Sequence, residues 1–321
     1  MSELLTAYPP PPSPARTRPP ERAPLRVGLV QERWHPDPDE HAEALAAGIR
    51  IAAGEGARIV CLQELTLSPY FAITPDGPGD AGAAPEPLQD GPTVAFARAM
   101  AAQTGTHVHA SLYERADGAD GLGYNTAVVV APDGRLVSRT RKLHIPVTAG
   151  YYEDHYFRPG PAGEDAFPLV SLQVGDGVPA TLGCPTCWDQ WFPELARAYS
   201  LKGAEVLIYP TAIGSEPDHP EFDTQPLWEQ VIVANGVANG TFMVAINRTG
   251  VEEPLTFYGS SFISDPYGRV LVRAPRDRPA VLVADLDLDQ RRDWLELFPF
   301  LTTRRPDAYA PLTAVPASSR G

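Results

Sequence analysis

The chain has no apolar run long enough to cross a bilayer, which excludes a helical membrane span. Its start lacks the basic-then-apolar order of a secretory leader, so the protein is expected in the cytoplasm. Cysteine is scarce, with 3 in 321 residues, too few for a disulfide framework and in keeping with a reducing compartment. Positive charge is short as well: 26 Lys and Arg stand against 40 Asp and Glu, a formal net charge of -14. The pairs Arg291-Arg292 and Arg304-Arg305 are too small to make a basic patch, so neither nucleic acid nor an anionic membrane is an expected partner. What the chain does have is 43% hydrophobic residues, enough to bury a large core. Proline clusters between Pro9 and Pro24, and residues 1–24 read as a disordered, proline-rich tail.

Beyond that tail, the order of patterns predicts an α/β fold. Leu25 to Val30 is an apolar strand, and Asp37 to Gly54 is an alanine-rich helix with Asp37 as cap and Pro38 at its first position. Arg58 to Leu62 is a second buried strand ending at Gln63-Glu64. Residues 69–91, rich in glycine, proline and acid, form a long surface loop. A helix from Pro92 and a strand from His107 to Tyr113 follow. Two strands about the turn Pro132-Asp133-Gly134 then make a hairpin that ends at Lys142. The second half repeats this grammar, with strands from Ala204 and Thr241, a helix from Leu227 to Asn239, and a hairpin about Asp265-Pro266-Tyr267-Gly268. Many strands, few helices and two hairpins suggest two mixed sheets covered by helices, not one parallel sheet. Residues 298–321 show no clear periodicity.

The middle is organised by Gly183-Cys184-Pro185-Thr186-Cys187-Trp188-Asp189-Gln190-Trp191-Phe192-Pro193-Glu194, read as a strand end, an elbow and a helix start. A cysteine at such an elbow has unpaired backbone N–H groups beside it, which stabilise a thiolate and then an oxyanion. Taken singly, Cys187 reads first as a buried structural cysteine, Glu64 as a solvated or capping residue and Lys142 as a surface residue at a strand end. Strand ends are also where α/β sheets place ligands.

Together these blocks resemble the nitrilase-like carbon–nitrogen hydrolases, whose catalytic set is Glu, Lys and Cys. The likeness lies in Leu62-Gln63-Glu64-Leu65, Arg141-Lys142-Leu143-His144-Ile145-Pro146 and the Cys187 block. It continues through Tyr209 to Pro217, Asn247-Arg248, Phe257 to Phe262 and Arg304-Arg305-Pro306-Asp307. It implies a single-domain, four-layer αββα sandwich over residues 25–297 that associates into a homodimer or higher homo-oligomer, with 298–321 at the interface. It implies no metal and no organic cofactor. Carried onto this sequence, Cys187 is the nucleophile, Glu64 the proton shuttle, and Lys142 with the Trp188 backbone N–H the oxyanion donors. Glu153 is a second glutamate that orients Lys142.

Within the family the blocks look most like the N-carbamoylputrescine amidases, with β-ureidopropionases behind. The expected activity is therefore thiol-dependent hydrolysis of an N-carbamoyl amine to amine, ammonia and carbon dioxide. Glu216 would face the distal amine, and Tyr70, Tyr151, Trp188 and Asn125 are the other candidates for holding substrate. A carbamoyl amino acid would need a distal cation instead, for which Arg158 and Arg248 are candidates. Cys184-Pro185-Thr186-Cys187 is also a CxxC, but without a second ligand pair it does not make a zinc site. Oxidation joining Cys184 to Cys187 would silence the nucleophile. A binding protein that keeps the fold without turnover is the alternative of a different class.

Overall fold

The computed structural model of the chain describes residues 2–77, 84–118 and 120–314, so part of the predicted 69–91 loop and the end of the 298–321 segment lie outside the described residues. The first sheet has the order β1 (Glu3–Ala7), β15 (Ala280–Leu286), β2 (Leu25–Gln31), β3 (Ile59–Leu62), β4 (His107–Glu114), β5 (Tyr124–Val130) and β6 (Leu136–Arg141). The second has the order β14 (Val270–Arg273), β13 (Phe262–Ser264), β10 (Phe242–Asn247), β9 (Val206–Thr211), β8 (Ala180–Gly183) and β7 (Leu169–Leu172). A separate ribbon pairs β11 (Thr249–Glu252) with β12 (Leu255–Tyr258). Both sheets are mixed: β2, β3 and β4 run parallel, as do β8, β9 and β10, while hairpins such as β5–β6 run antiparallel.

Alternation along these strands builds the layers. Leu25, Val27, Leu29, Ile59 and Cys61 of the first sheet pack against Leu182, Val206, Ile208, Phe242 and Val244 of the second. The intervening residues Val30, Val60, Leu62 and Val108 face the other way, onto helices α1 (Pro38–Gly54) and α2 (Pro92–Thr104). On the far side, Leu207, Tyr209, Met243 and Ala245 pack beneath α3 (Pro193–Leu201) and α4 (Gln225–Asn239). Side chains that alternate by strand period cover both faces of each sheet, and the result is the expected helix–sheet–sheet–helix stack. Helix α1 starts as anticipated, with the Asp37 carboxylate accepting N–H bonds from Asp39 and Glu40 at 2.9 and 3.0 Å.

The N-terminal segment differs from the expectation of disorder. Strand β1 adds in parallel to β15 at the sheet edge, Glu3 opposite Ala280, and the proline stretch then runs across the body to Leu25. Arginines latch it: Arg16 reaches Asp287 at 2.7 Å and Asp293 at 2.9 Å, and Arg22 reaches Glu205 at 2.6 Å. The composition suggests disorder because the segment carries few large apolar residues; backbone pairing and charge hold it instead. Helix α5 (Asp289–Leu297), which supplies Asp289 and Asp293 to these latches, has no counterpart among the elements expected from the sequence, and neither has the β11–β12 ribbon. Among the described residues no helix is long and apolar enough to cross a membrane.

Candidate active site

Glu64 follows β3, Lys142 follows β6 and Cys187 follows β8, so two sheets deliver the three groups to one end of the sandwich. The Lys142 ammonium is fully enclosed and donates to Glu64 Oε1 at 3.0 Å and to Glu153 Oε1 and Oε2 at 2.8 and 2.7 Å. Burial opposes its charge, but the carboxylates of Glu153 and Glu64 outweigh that cost and hold Lys142 protonated far above its ordinary range. Burial, with the negative charge of Glu64, pushes the Glu153 carboxyl up against the opposing pull of Lys142.

Cys187 opens a short 3₁₀ turn (Cys187–Trp191) that precedes α3. Burial pushes its thiol well above the usual range; Glu64 and Glu153 add to this, while Lys142 and the Ala212 backbone N–H pull the other way. The resting sulfur is therefore a thiol that needs a base. Glu64 is suited to that role, because its Oε1 is taken by Lys142 and by Asn125 Nδ2 at 2.7 Å, whereas Oε2 is buried with no partner among the described residues. The Trp188 N–H lies in the first turn, outside the helical ladder. Among the described residues it donates to no acceptor.

The elbow is braced on several sides. Gly183 admits no side chain, since a Cβ there would stand 2.5 Å from the Tyr199 ring. Gln190 accepts from Trp228 Nε1 at 2.9 Å, and its carbonyl accepts from Asn235 at 3.0 Å, so α4 holds the turn. Across the site Leu65, the residue after Glu64, has φ 49°, an uncommon conformation for a leucine. It is fixed by Arg248, fully buried, whose Nη2 donates to the carbonyls of Glu64, Leu65 and Ser68 at 2.8, 3.2 and 3.1 Å, while Nη1 pairs with Glu252 at 2.6 Å.

Cys187 and Glu153 open onto a cavity of about 190 Å³ lined also by Tyr151, Trp188, Glu216 and Thr224, with Trp191, Ile213, Leu227 and Pro146 among its apolar walls; Glu64 and Lys142 are buried behind it and are not among its lining residues. A more open hollow of about 500 Å³ lies beyond the 214–224 segment and contains none of the reactive groups. Glu216 is half-buried, and its Oε1 accepts from Thr224 Oγ1 at 3.2 Å. Tyr151 lines the wall, its hydroxyl fixed between the Gly214 N–H at 3.0 Å and the Ser215 carbonyl at 3.2 Å.

Three sequence expectations change. Tyr70 and Asn125 do not line the cavity; Tyr70 donates to Glu153 at 2.9 Å and Asn125 to Glu64, so both act on the carboxylates from behind. Arg248 is consumed by the Glu64 turn, and Arg158 pairs with Asp120 and the Leu122 carbonyl, so neither supplies a distal cation to the cavity. Cys184 belongs to the core between the sheets and Cys187 to the helix-facing cluster, so the two thiols are free and packed in separate clusters. Conversely, Trp191, Ile213, Thr224 and Leu227 line the cavity; Ile213 falls in the Tyr209 to Pro217 block, and no motif points to Thr224 or Leu227. Among the described residues no group of three or more His, Cys, Asp or Glu is arranged to hold a metal ion.

Comparisons with known proteins agree with this geometry. The chain is 37% identical over 291 residues to an N-carbamoylputrescine amidase of Arabidopsis thaliana, covering 88% of this chain and 93% of the relative. It is 36% identical over 293 residues to a citrullinase of Francisella tularensis, covering 89% and 96%. A crystal structure of a carbon–nitrogen hydrolase from Helicobacter pylori superposes with a TM-score of 0.76 at 32% identity, over 91% of this chain and 99% of that one. The sequence pattern that defines carbon–nitrogen hydrolases matches residues 26–296, the same span that carries both sheets' shared core and the buried Glu–Lys–Cys constellation, and the chain belongs to that family.

Proposed function

We propose that the protein hydrolyses the carbamoyl carbon–nitrogen bond of an N-carbamoyl alkylamine bearing a distal ammonium, N-carbamoylputrescine being the simplest such substrate. The supporting observation is the cavity itself: Cys187 and the carboxylate of Glu216 share it, and no Lys, Arg or His is among its lining residues. Glu64 takes the thiol proton as the Cys187 sulfur adds to the carbamoyl carbon. The Lys142 ammonium and the Trp188 N–H receive the oxyanion. Collapse expels ammonia, protonated by Glu64, and leaves a thiocarbamate on Cys187. Water, deprotonated by Glu64, then releases the thiol and a carbamic acid, which separates into amine and carbon dioxide.

Citrulline carries the same ureido group and ammonium but adds a carboxylate, and N-carbamoyl-β-alanine has the carboxylate alone. A negative group beside Glu216 with no cation in reach is repelled, which ranks both below the simple amine despite the likeness to a citrullinase. Ammonia release from the three compounds tests the reading. Preference for either acid overturns the ranking. Turnover by none of them favours a binding protein, whereas turnover retained by Cys187→Ala overturns the mechanism. We also assign the protein to the cytoplasm, to the supply of polyamines and to a homo-oligomer, supported by exposed Leu297, Phe298 and Leu312 near the C-terminus. Sedimentation as a monomer at micromolar concentration would refute the last point.

A further inference from the structure

Lys142 and Cys187 come from different sheets, and β6 and β8 are not neighbours in either. No strand register therefore sets the separation of the ammonium from the sulfur. Lys142 is held by Glu64, Glu153 and its own N–H to the Asn125 carbonyl at 2.8 Å, all within reach of the first sheet. Cys187 is held by the elbow and by α4. Something has to tie the two halves together, because an error of about 1 Å between an oxyanion donor and the reacting carbon can cost on the order of 100-fold in rate.

Apolar packing brings the halves together, Leu143 lying on the cluster that holds Cys187, and the directional tie is a single carboxylate. Asp189 is 1% exposed. Its Oδ1 accepts both the backbone N–H of His144, at 3.1 Å, and His144 Nδ1, at 2.8 Å. Its Oδ2 accepts the backbone N–H of Thr186 at 3.2 Å, with the Thr186 hydroxyl at 3.4 Å. Thr186 directly precedes the nucleophile and His144 stands two residues after Lys142. Among the described residues, every hydrogen bond between the 142–144 and 186–189 segments runs through Asp189. The His144 ring is fixed in turn by stacking on Phe192, with centroids 3.6 Å apart and planes at 8°, and Phe192 caps α3. A carboxylate only accepts, so the His144 proton sits on Nδ1.

We propose that His144 and Asp189 are positioning residues that set the distance between the Lys142 ammonium and the Cys187 sulfur. The inference rests on the roles given to Lys142 and Cys187 above, but not on the identity of the substrate.

His144→Phe keeps the stacked ring and removes the donor; His144→Asn restores a side-chain N–H near the Nδ1 position. Two readouts separate positioning from stability: kcat and KM per titratable active-site thiol, and the rate of Cys187 alkylation by iodoacetamide at pH 7, located by peptide mass. His144→Phe is expected to lower kcat at least about tenfold with KM nearly unchanged. It should also slow alkylation several-fold, because the sulfur loses the nearby ammonium that favours its thiolate. His144→Asn should recover most of both. His144→Phe within twofold of wild type by both measures, or no recovery in His144→Asn, overturns the link. If His144→Phe does not fold, Asp189→Asn, which preserves shape, must show the same pattern or the proposal fails. Should the wild type turn over none of the carbamoyl compounds while His144→Phe still slows alkylation, the substrate assignment falls and the link stands.

Discussion

Replacing Glu216 with glutamine tests how the cavity selects its substrate. The side chain keeps its size and can still accept from Thr224 Oγ1, so the change removes charge with little repacking. A hydrogen bond to a charged group contributes about 1.5–3 kcal/mol when well enclosed. Glu216 is only half-buried and shares one oxygen with Thr224, which argues for a value around or below the bottom of that range, about 1–2 kcal/mol. At 1.4 kcal/mol per decade this is a loss of about 5–30-fold in kcat/KM for N-carbamoylputrescine. The control is N-carbamoylpentylamine, equal in length with a methyl in place of the ammonium, whose kcat/KM should change by less than about twofold or rise, since it gains nothing from a carboxylate. Ammonia release measured for both substrates with both enzymes closes a thermodynamic cycle. An equal loss on the charged and the uncharged compound would refute the reasoning, because it would mean that Glu216 shapes the cavity without meeting the ammonium.

Three further outcomes are expected. Lys142→Met should abolish turnover and destabilise the fold by about 3–5 kcal/mol in urea unfolding, because Glu64 and Glu153 are left buried without their cation; stability equal to wild type would show that the cluster is not held by charge. Burial pushes His41 down to about 4 and His109 down to about 3, so both are neutral in the folded protein. An unfolded histidine protonates near 6.5, so stability should fall as the pH drops from 6.5 toward 4, by about 2 kcal/mol per residue at pH 5; His109→Leu should shrink the difference between pH 7 and pH 5 by that amount. Arg16→Ala should cost about 1–3 kcal/mol by leaving Asp287 without its donor and Asp293 with Arg292 alone, and an unchanged melting temperature would mean that the N-terminal arm is not latched.

The parts legible in the sequence are those with local causes. Asp37-Pro38 starts a helix, Pro132-Asp133-Gly134 turns a hairpin, and Cys187 stands on an elbow because each depends on a few consecutive residues. Motifs likewise point to Glu64, Lys142, Cys187 and Glu153. Direction is not legible. That Tyr70 and Asn125 turn toward carboxylates, and that Arg248 spends its donors on the carbonyls beside Glu64, follows from which face of a strand meets which loop. Charge-rich segments mislead for a related reason. Helix α5, Asp289–Leu297, carries few apolar residues; Asp289 and Asp293 on its buried face pair with arginines from the arm instead.

The edge pairing of Glu3 with Ala280 also has a temporal meaning. On a ribosome adding about 5–20 residues per second, the 280 − 3 intervening positions take about 14–55 s to make. Throughout that interval the first strand has no mate. The nearest thing to a safeguard is the company it keeps: prolines Pro9 to Pro12 follow at once and cannot extend a foreign ladder. Closure of the larger sheet thus comes late in synthesis, and a tag fused ahead of Glu3 sits at the seam where the nascent protein seals itself.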